Sequence, residues 1–321
     1  MFKLPAPPSP RATACELADF FELLCWLRTS VSRQEVLGFL GEVGDNLQPN
    51  NEAFEGCADA DDVNEPVVDD ALIEVDRRKS SCCSGYPFQV NDSGTVLYFS
   101  SANPLRGQDL VYLYLLVATR LNMNSHRDLG GIDGTLEMEK LSAYALQTYL
   151  GSSRGRSEVF GTSVGGSFRA RVERLCEALK EPTKFHNIDG EEAGITAQDD
   201  KLDVVGWLPF GDASPGQLIV FAQAKTGTNW RDKCADLNPE AFQNKWLSKR
   251  FLVNPLRAFC VSEAVLRATW NSTCCDGGLL FDRCRIVECS VELPTALEEN
   301  LRAWLWEARS SVASGLGIEI V

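Results

Sequence analysis

Apolar and polar positions alternate along the first part of the chain with a period that favours helices. Apolar residues three or four positions apart predict two helices within residues 11–43, and residues 71–79 have a pattern compatible with another. Residues 107–123 are apolar nearly all round, which predicts a buried helix. The turn formers of residues 91–94 separate two short β-favouring runs and predict a hairpin. We therefore expect a mostly helical N-terminal domain over residues 1–125.

Beyond residue 133 the pattern changes, because strand-like runs alternate with helical ones. Two strongly apolar runs, at residues 202–208 and 217–225, predict strands, and residues 134–150 predict a helix. The other predicted elements are a short strand at 158–161, helices at 168–180 and 239–250, strands at 257–261 and within 279–289, and a closing helix at 297–310. This order predicts an α/β domain over residues 126–321, with a mixed central sheet flanked by helices.

Three polar residues interrupt the two apolar strands, namely Asp203, Gln223 and Lys225. The residues between the strands, 209–216, are dense in turn formers and predict an antiparallel hairpin. Asp203 and Gln223 are equally far in sequence from Ala213 at the centre of the turn, so a regular register places them opposite each other. Gln223 and Lys225 are two positions apart and share a strand face. Burying these groups without partners would cost several kcal/mol, which a bound metal ion and a substrate phosphate would offset.

These three side chains suit phosphodiester hydrolysis. Mg²⁺ prefers oxygen ligands, which the Asp203 carboxylate and the Gln223 amide supply. The Lys225 ammonium would stabilise negative charge at the attacked phosphate or lower the pKa of the attacking water. A metal ion here would polarise the phosphate.

The pattern of Asp203 followed by Gln223-Ala224-Lys225 resembles the signature of the PD-(D/E)XK nuclease superfamily, in the glutamine variant of Mrr-type restriction endonucleases. The resemblance covers roughly residues 130–265 and implies a restriction-endonuclease-like core. It also implies a metal-binding glutamate on the helix before the first strand. By comparison with the family's helix start, residues 134–141 supply this ligand as Glu139, with Glu137 as the competing candidate.

The resemblance thus implies a catalytic set of Glu139, Asp203, Gln223 and Lys225. The first three would hold Mg²⁺ or Mn²⁺. The predicted helix at 168–180 is an insertion between the first strand and the aspartate strand. It leaves two further candidate acids on that helix, Glu173 and Glu177.

Nucleic-acid contacts are predicted on two helices. The resemblance implies a polar contribution from the helix after the motif strand, where Gln243 and Lys245 are the candidates for a phosphate contact. Trp230, just before that helix, would stack on a base or lie in the core. Five arginines form either a phosphate-binding face or a solvated helix surface. These are Arg154, Arg156, Arg169, Arg171 and Arg174, of which Arg169 and Arg171 are the predicted nucleic-acid contacts.

Charge and composition modify this picture. The net charge of −14 disfavours a free-standing nucleic-acid binder, although most of the excess acid lies in residues 1–125, including the acidic stretch 44–70 that is typical of a loop. The twelve cysteines include no CxxC pair, so reduced and mostly buried thiols are expected. A zinc site is the alternative, built from Cys274, Cys275, Cys284 and Cys289. No membrane-length apolar run or secretory signal is found, so a cytoplasmic protein without membrane contact is expected.

The sequence therefore predicts a metal-dependent endonuclease acting on DNA, expected to be double-stranded, and the resemblance extends this to bacterial defence against phage. The acidic N-terminal domain would serve recognition, regulation or docking to a partner subunit, and self-association would supply two active sites for duplex cleavage. One alternative is a nuclease fold that has lost activity and serves as a scaffold or nucleic-acid-binding subunit. Another is a structural domain whose polar trio forms an internal hydrogen-bonded network.

Overall fold

A mixed five-stranded sheet, with helices on both of its faces, organises the C-terminal part of the chain. The computed structural model describes residues 2–9, 11–46, 60–102, 104–161, 165–190 and 200–318. The helices are α1 (Ala14–Arg28), α2 (Arg33–Asn46), α3 (Ala60–Ser81), α4 (Gly107–Arg120), α5 (Gly134–Tyr149), α6 (Phe168–Ala178), α7 (Pro239–Trp246), α8 (Trp270–Gly277), α9 (Arg283–Glu288) and α10 (Thr295–Gly315). The strands are β1 (Ser30–Ser32), β2 (Phe88–Val90), β3 (Val96–Phe99), β4 (Asp128–Leu129), β5 (Ile132–Asp133), β6 (Arg156–Val159), β7 (Val204–Leu208), β8 (Leu218–Lys225), β9 (Leu256–Val261) and β10 (Leu279–Phe281).

The order of strands in the large sheet is β10-β9-β8-β7-β6. β6, β7 and β8 are antiparallel neighbours, whereas β8, β9 and β10 run parallel. The parallel pairs need crossover connections, which α7 and α8 provide. The mixed α/β class predicted from the sequence is therefore confirmed.

The predicted register of the β7–β8 hairpin is confirmed. Val204 pairs with Ala222 at the end of this ladder, and Asp203 is the residue just before β7. The backbone N–H of Asp203 donates to the carbonyl of Ala222 at 3.1 Å. The hairpin therefore brings the predicted aspartate and glutamine to the same end of the sheet.

Alternate side chains of β8 enter two different cores. Val220 and Ala222 belong to a core shared with α4, α5 and α10, whereas Ile219 and Phe221 belong to a second core shared with α6 and α7. This alternation follows from the two-residue period of a strand. Gln223 has the parity of Ile219 and Phe221, the side chains of β8 that enter the second core.

The N-terminal helices share one hydrophobic core with the C-terminal helices. Leu17 of α1, Leu113 of α4, Leu141 of α5 and Trp304 of α10 are all fully buried in it. The domain boundary predicted between residues 125 and 126 therefore crosses a continuous core rather than separating two. A small antiparallel sheet of order β1-β3-β2 adds the predicted hairpin to this N-terminal part.

Charged side chains also bridge the two parts of the chain. The fully buried Asp19 carboxylate of α1 accepts hydrogen bonds from Arg78 at 2.6 Å and from Arg120 at 2.6 Å. Arg283 of α9 donates to both oxygens of Asp19, at 2.7 and 3.1 Å. Burial opposes ionisation, but the three guanidinium groups hold the pKa of Asp19 far below its ordinary value. Arg120 also reaches Glu263, just after β9, at 3.3 Å.

Two sequence predictions need correction. Residues 60–70 of the predicted acidic loop are helical, because Val68, Ala71 and Val75 recur at helical spacing and are fully buried. Residues 47–59 of that loop lie outside the described residues. The predicted strand region 279–289 ends at residue 281, where the Asp282 side chain caps α9 by accepting from the Arg285 N–H at 3.1 Å. Helix α8 was not predicted.

Candidate active site

Asp203 and Lys225 form the centre of the candidate site at one end of β7 and β8. The Asp203 carboxylate Oδ2 accepts from the backbone N–H of Ala224 at 2.8 Å and from the Lys225 ammonium at 3.3 Å. The side chain of Asp203 is 6% exposed and that of Lys225 is 28% exposed. The aspartate is therefore fixed inside the protein, while the lysine it holds reaches solvent.

Gln223 lies on β8 two positions before Lys225 and is fully buried. Neither its Oε1 nor its Nε2 has a hydrogen-bond partner among the described residues. Leaving a buried amide unsatisfied costs about 1–3 kcal/mol, so natural proteins seldom retain such a group for stability alone. Among the described residues, Gln223 is the buried side chain for which both amide atoms are without a hydrogen-bond partner.

The predicted glutamate approaches the same end of the sheet from α5. The partly exposed Glu139 carboxylate lies against Gly161, and a Cβ atom added to Gly161 would be 2.7 Å from Glu139 Oε2. Gly161 in turn donates its N–H to the Asp203 carbonyl at 3.2 Å, beside a 2.8 Å bond from Phe160. Glu139 therefore lies one glycine away from the Asp203 backbone.

The competing residue, Glu137, is directed elsewhere. It is 2% exposed, and its Oε1 accepts from Lys140 at 2.7 Å and from Asn300 of α10 at 3.1 Å. Its position on the α10 side of the helix favours Glu139 as the acid of the site.

Two local features place α5 where Glu139 can reach the sheet. Asp133 begins the helix by accepting from the N–H groups of Thr135 and Leu136, at 2.9 and 3.1 Å. Burial raises the pKa of Asp133, but hydrogen bonds from Arg127 and Thr135 outweigh this and lower it to about 2. At the other end, β7 has a glycine at position 206, where a Cβ atom would be 2.6 Å from a Leu146 methyl carbon. The missing side chain lets α5 pack closely on β7.

A cleft of about 370 Å³ opens beside Lys225. Four of its lining side chains are cationic, namely Lys3, Arg127, Lys225 and Lys233, and none of the other described lining residues is acidic. Asparagine and threonine side chains make up most of the remaining wall, and these are Asn122, Asn124, Thr135, Thr226, Thr228 and Asn229. Thr135 lies one helical turn before Glu139 on α5, so the cleft and the glutamate share one side of that helix. Lys3, Arg127 and Lys233 had no sequence signal, because they come from three separate segments.

The residues predicted to contact nucleic acid do not line this cleft. Arg171 is 5% exposed, with its guanidinium 5.7 Å from the Phe160 ring centroid, and is therefore a buried packing residue. Gln243 is 1% exposed, donates to the Pro239 carbonyl and accepts from the Phe251 N–H, at 3.1 and 2.8 Å. The structure thus does not bring Gln243 to the surface for the predicted phosphate contact.

Two other predicted contact residues are exposed and ion-paired on the surface. Arg169 bridges Glu173 along the solvent face of α6 at 2.9 Å. Lys245 lies 3.5 Å from Asp200. The remaining predicted arginines, Arg154, Arg156 and Arg174, are exposed. Glu177 is also exposed on α6, so this helix directs its acids to solvent.

Trp230 and the cysteines have structural positions. Trp230 is 1% exposed and its indole N–H donates to Glu263 at 2.6 Å, which agrees with the core interpretation although one side of it borders the cleft. The cysteines in the described ranges are free thiols, and most of them are buried. Within these ranges no three His, Cys, Asp or Glu side chains form a metal-binding group, which gives no support to the zinc alternative.

Comparisons with known proteins give no indication of function, so the function has to be inferred from the site itself. No protein-family model, no curated protein and no solved structure matches this chain. None of the helices in the described part of the chain is long and apolar enough to cross a lipid bilayer.

Proposed function

We propose that this protein is a divalent-metal-dependent endonuclease that hydrolyses phosphodiester bonds of DNA. The observation that carries the proposal is the fully buried Gln223 amide, which has no hydrogen-bond partner among the described residues and lies on the strand that ends in Lys225. The role in bacterial defence and the cytoplasmic location implied earlier belong to the same proposal.

The order of elements supports a restriction-endonuclease-like core. The sequence helix α5, strand β6, aspartate strand β7, motif strand β8 and helix α7 is the order that the resemblance implies, with α6 inserted before β7. The glutamate, the aspartate and the lysine of the motif also lie at corresponding places on these elements. The order of the elements therefore agrees with the core that the motif implies.

The donor atoms present fit a hard divalent cation. Asp203 and Glu139 supply carboxylate oxygens and Gln223 supplies an amide oxygen, and oxygen ligands are what Mg²⁺ and Mn²⁺ bind. These three residues would hold the ion. When bound, such an ion polarises the phosphate and makes a water molecule easier to deprotonate.

Lys225 contributes a positive charge that is already positioned. Its ammonium is held 3.3 Å from Asp203 while its side chain borders the cationic cleft. A phosphate in the cleft would meet this ammonium without any rearrangement of the strand. A fixed charge of this kind stabilises the extra negative charge that develops at the attacked phosphorus.

Plasmid cleavage with Mg²⁺ or Mn²⁺ tests the proposal. The wild-type protein should nick or linearise the plasmid, and Lys225→Ala should lower the rate by about 10²–10³-fold, as expected when a charge-stabilising group is removed. Glu139→Gln should abolish cleavage as well. Glu137→Gln is the matched control on the same helix, and it should leave the rate per folded molecule unchanged.

Two results would contradict this assignment. Absence of cleavage by the wild-type protein, over linear, supercoiled and single-stranded substrates, would argue against a nuclease. Equal loss of activity in Glu137→Gln and Glu139→Gln, with both variants folded by circular dichroism, would argue against Glu139 as the acid of the site.

An inactive nuclease fold is the second candidate. It is favoured by the glutamine at position 223, which leaves the described site with fewer carboxylates than a three-acid metal group requires. A scaffold should show no thermal shift with Mg²⁺ or Mn²⁺. The endonuclease should show a shift that Asp203→Ala removes, because a ligand that binds only the folded state stabilises it.

A further inference from the structure

Positive charge is concentrated in the cleft beside Lys225, although the chain as a whole is acidic. The net charge is −14, yet the described lining residues include four cationic side chains and no acidic one. Like charges that converge in a concave site repel one another and attract anions from solution. The positive charge of the lining is therefore specific to this cleft, because the protein as a whole is negatively charged.

Internal ion pairs offset only part of this charge. Lys225 is paired with Asp203, and Arg127 donates to Asp133 through Nε at 2.8 Å and Nη2 at 2.5 Å. Within the described residues, Lys3 and Lys233 have no recorded ion-pair partner. The cleft thus presents two lysine charges that no ion pair within the described ranges neutralises.

Lys3 lies in a segment that is held in place by its neighbouring residues. Phe2 and Leu4, on either side of Lys3, are 2% and 5% exposed, and the Leu4 N–H donates to the Arg120 carbonyl at 2.9 Å. Lys3 and Ala6 are bridged across a tight turn, in which the Ala6 N–H donates to the Lys3 carbonyl at 3.1 Å, and the buried residues on either side hold Lys3 at the cleft.

Lys233 belongs to a short 3₁₀ helix that is also fixed at its ends. Trp230 before it and Cys234 after it are 1% and 5% exposed. The indole N–H of Trp230 is bonded to the buried Glu263 at 2.6 Å. A site whose charges are held in place before binding loses less conformational entropy when the ligand arrives.

We propose that Lys3, Arg127 and Lys233 form a backbone-binding subsite that holds phosphates of a nucleic-acid strand next to the phosphate at Lys225. The assignment of the neighbouring phosphate rests on the proposed function. A volume of about 370 Å³ is at the small end of the ~300–1,000 Å³ of ligand pockets, so the subsite receives part of one strand and not a whole duplex.

The lining side chains suit binding of the nucleic-acid backbone without recognition of its base sequence. Lysine and arginine charges, together with asparagine and threonine side chains, suit phosphate and sugar oxygens, and such contacts position a strand without identifying its bases. The subsite would let an acidic protein hold DNA without a second, basic subunit.

Equilibrium binding without metal tests the subsite separately from cleavage. Fluorescence anisotropy would follow labelled single-stranded and duplex DNA oligonucleotides in EDTA over a series of salt concentrations. The variant with Lys3→Ala, Arg127→Ala and Lys233→Ala should bind more weakly. Its slope of log affinity against log salt should fall by about 2–3, since each phosphate contact contributes about 0.7 for single strands and about 0.9 for duplex DNA.

A matched control removes the same charge elsewhere. Lys79→Ala, Lys180→Ala and Lys249→Ala remove three exposed lysines that do not line the cleft, and this variant should keep the wild-type slope. Because Arg127 is bonded to Asp133 at the start of α5, a double variant of Lys3 and Lys233 alone guards against misfolding. It should lower the slope by about 1.4–1.8.

The outcomes separate the two proposals. Equal slopes in the cleft and control variants, or no binding of either form of DNA by the wild type, would overturn the subsite. Binding that depends on the cleft lysines, without cleavage in any metal, would support the subsite and contradict the endonuclease. The single-strand and duplex arms show which form of DNA the cleft accepts.

Discussion

Replacing Gln223 by methionine should make the folded protein more stable and abolish cleavage at the same time. Gln223 is fully buried, and neither of its amide atoms has a hydrogen-bond partner within the described residues. Methionine has a similar unbranched shape, so the packing should survive while the penalty of a buried, unsatisfied amide disappears. That penalty is about 1–3 kcal/mol, and the free energy of unfolding should rise by that amount.

Urea denaturation followed by circular dichroism measures this change. With a slope of about 3 kcal/mol per M, at the upper end for small proteins, the midpoint should rise by about 0.3–1 M. Gln243→Met is the matched control, because Gln243 is 1% exposed but its amide is bonded to the backbone at both ends. That variant leaves the Phe251 N–H without its acceptor and should be less stable by about 1–3 kcal/mol.

The reasoning requires that the free energy of unfolding rises in Gln223→Met and falls in Gln243→Met. If Gln223→Met destabilises the protein as Gln243→Met does, the Gln223 amide makes stabilising contacts. The interpretation of position 223 as an internal polar network would then replace its assignment to the active site. If Gln223→Met is more stable and still cleaves DNA at the wild-type rate, the amide is not part of the catalytic set.

Two further substitutions test the placement of Glu139 and the buried charges. Gly161→Ala would put a Cβ atom 2.7 Å from Glu139 Oε2 and should lower the cleavage rate by up to about a hundredfold, whereas Gly211→Ala, which meets nothing within 4 Å, should not. A wild-type rate in Gly161→Ala would count against Glu139. Arg283→Met removes two hydrogen bonds from Asp19 and should lower the free energy of unfolding by about 3–5 kcal/mol in urea titrations. A loss below about 1 kcal/mol would contradict this reasoning.

The hairpin that carries the site could be predicted because its information is local. Turn formers mark its centre and the two-residue period assigns the faces, and these together predict the register in which Val204 pairs with Ala222. The choice between Glu137 and Glu139 could not be made from the local sequence. Two positions on a helix are about 200° apart, so one of them had to face away from the sheet, and only packing against α10 shows which.

Helix α9, the cationic cleft and the shared core could not be predicted from local sequence patterns. Helix α9 has six residues and follows β10 directly, so a β-favouring run conceals its start at the Asp282 cap. Lys3 and Lys233 line the same cleft only because the first residues of the chain lie against the end of α4. The shared core of the N-terminal and C-terminal helices likewise depends on contacts between residues far apart in sequence, which hydrophobic periodicity does not report.

The pairing of Asp19 with Arg283 has a consequence for synthesis of the protein. The two residues are 264 positions apart, so the N-terminal helices leave the ribosome long before the arginine that completes their buried ion pairs. Contacts of such long sequence separation form late in folding. A chain without α9 would leave the buried Asp19 carboxylate with two of its three guanidinium partners, Arg78 and Arg120. We therefore expect the N-terminal helices to be less stable until α9 has been made.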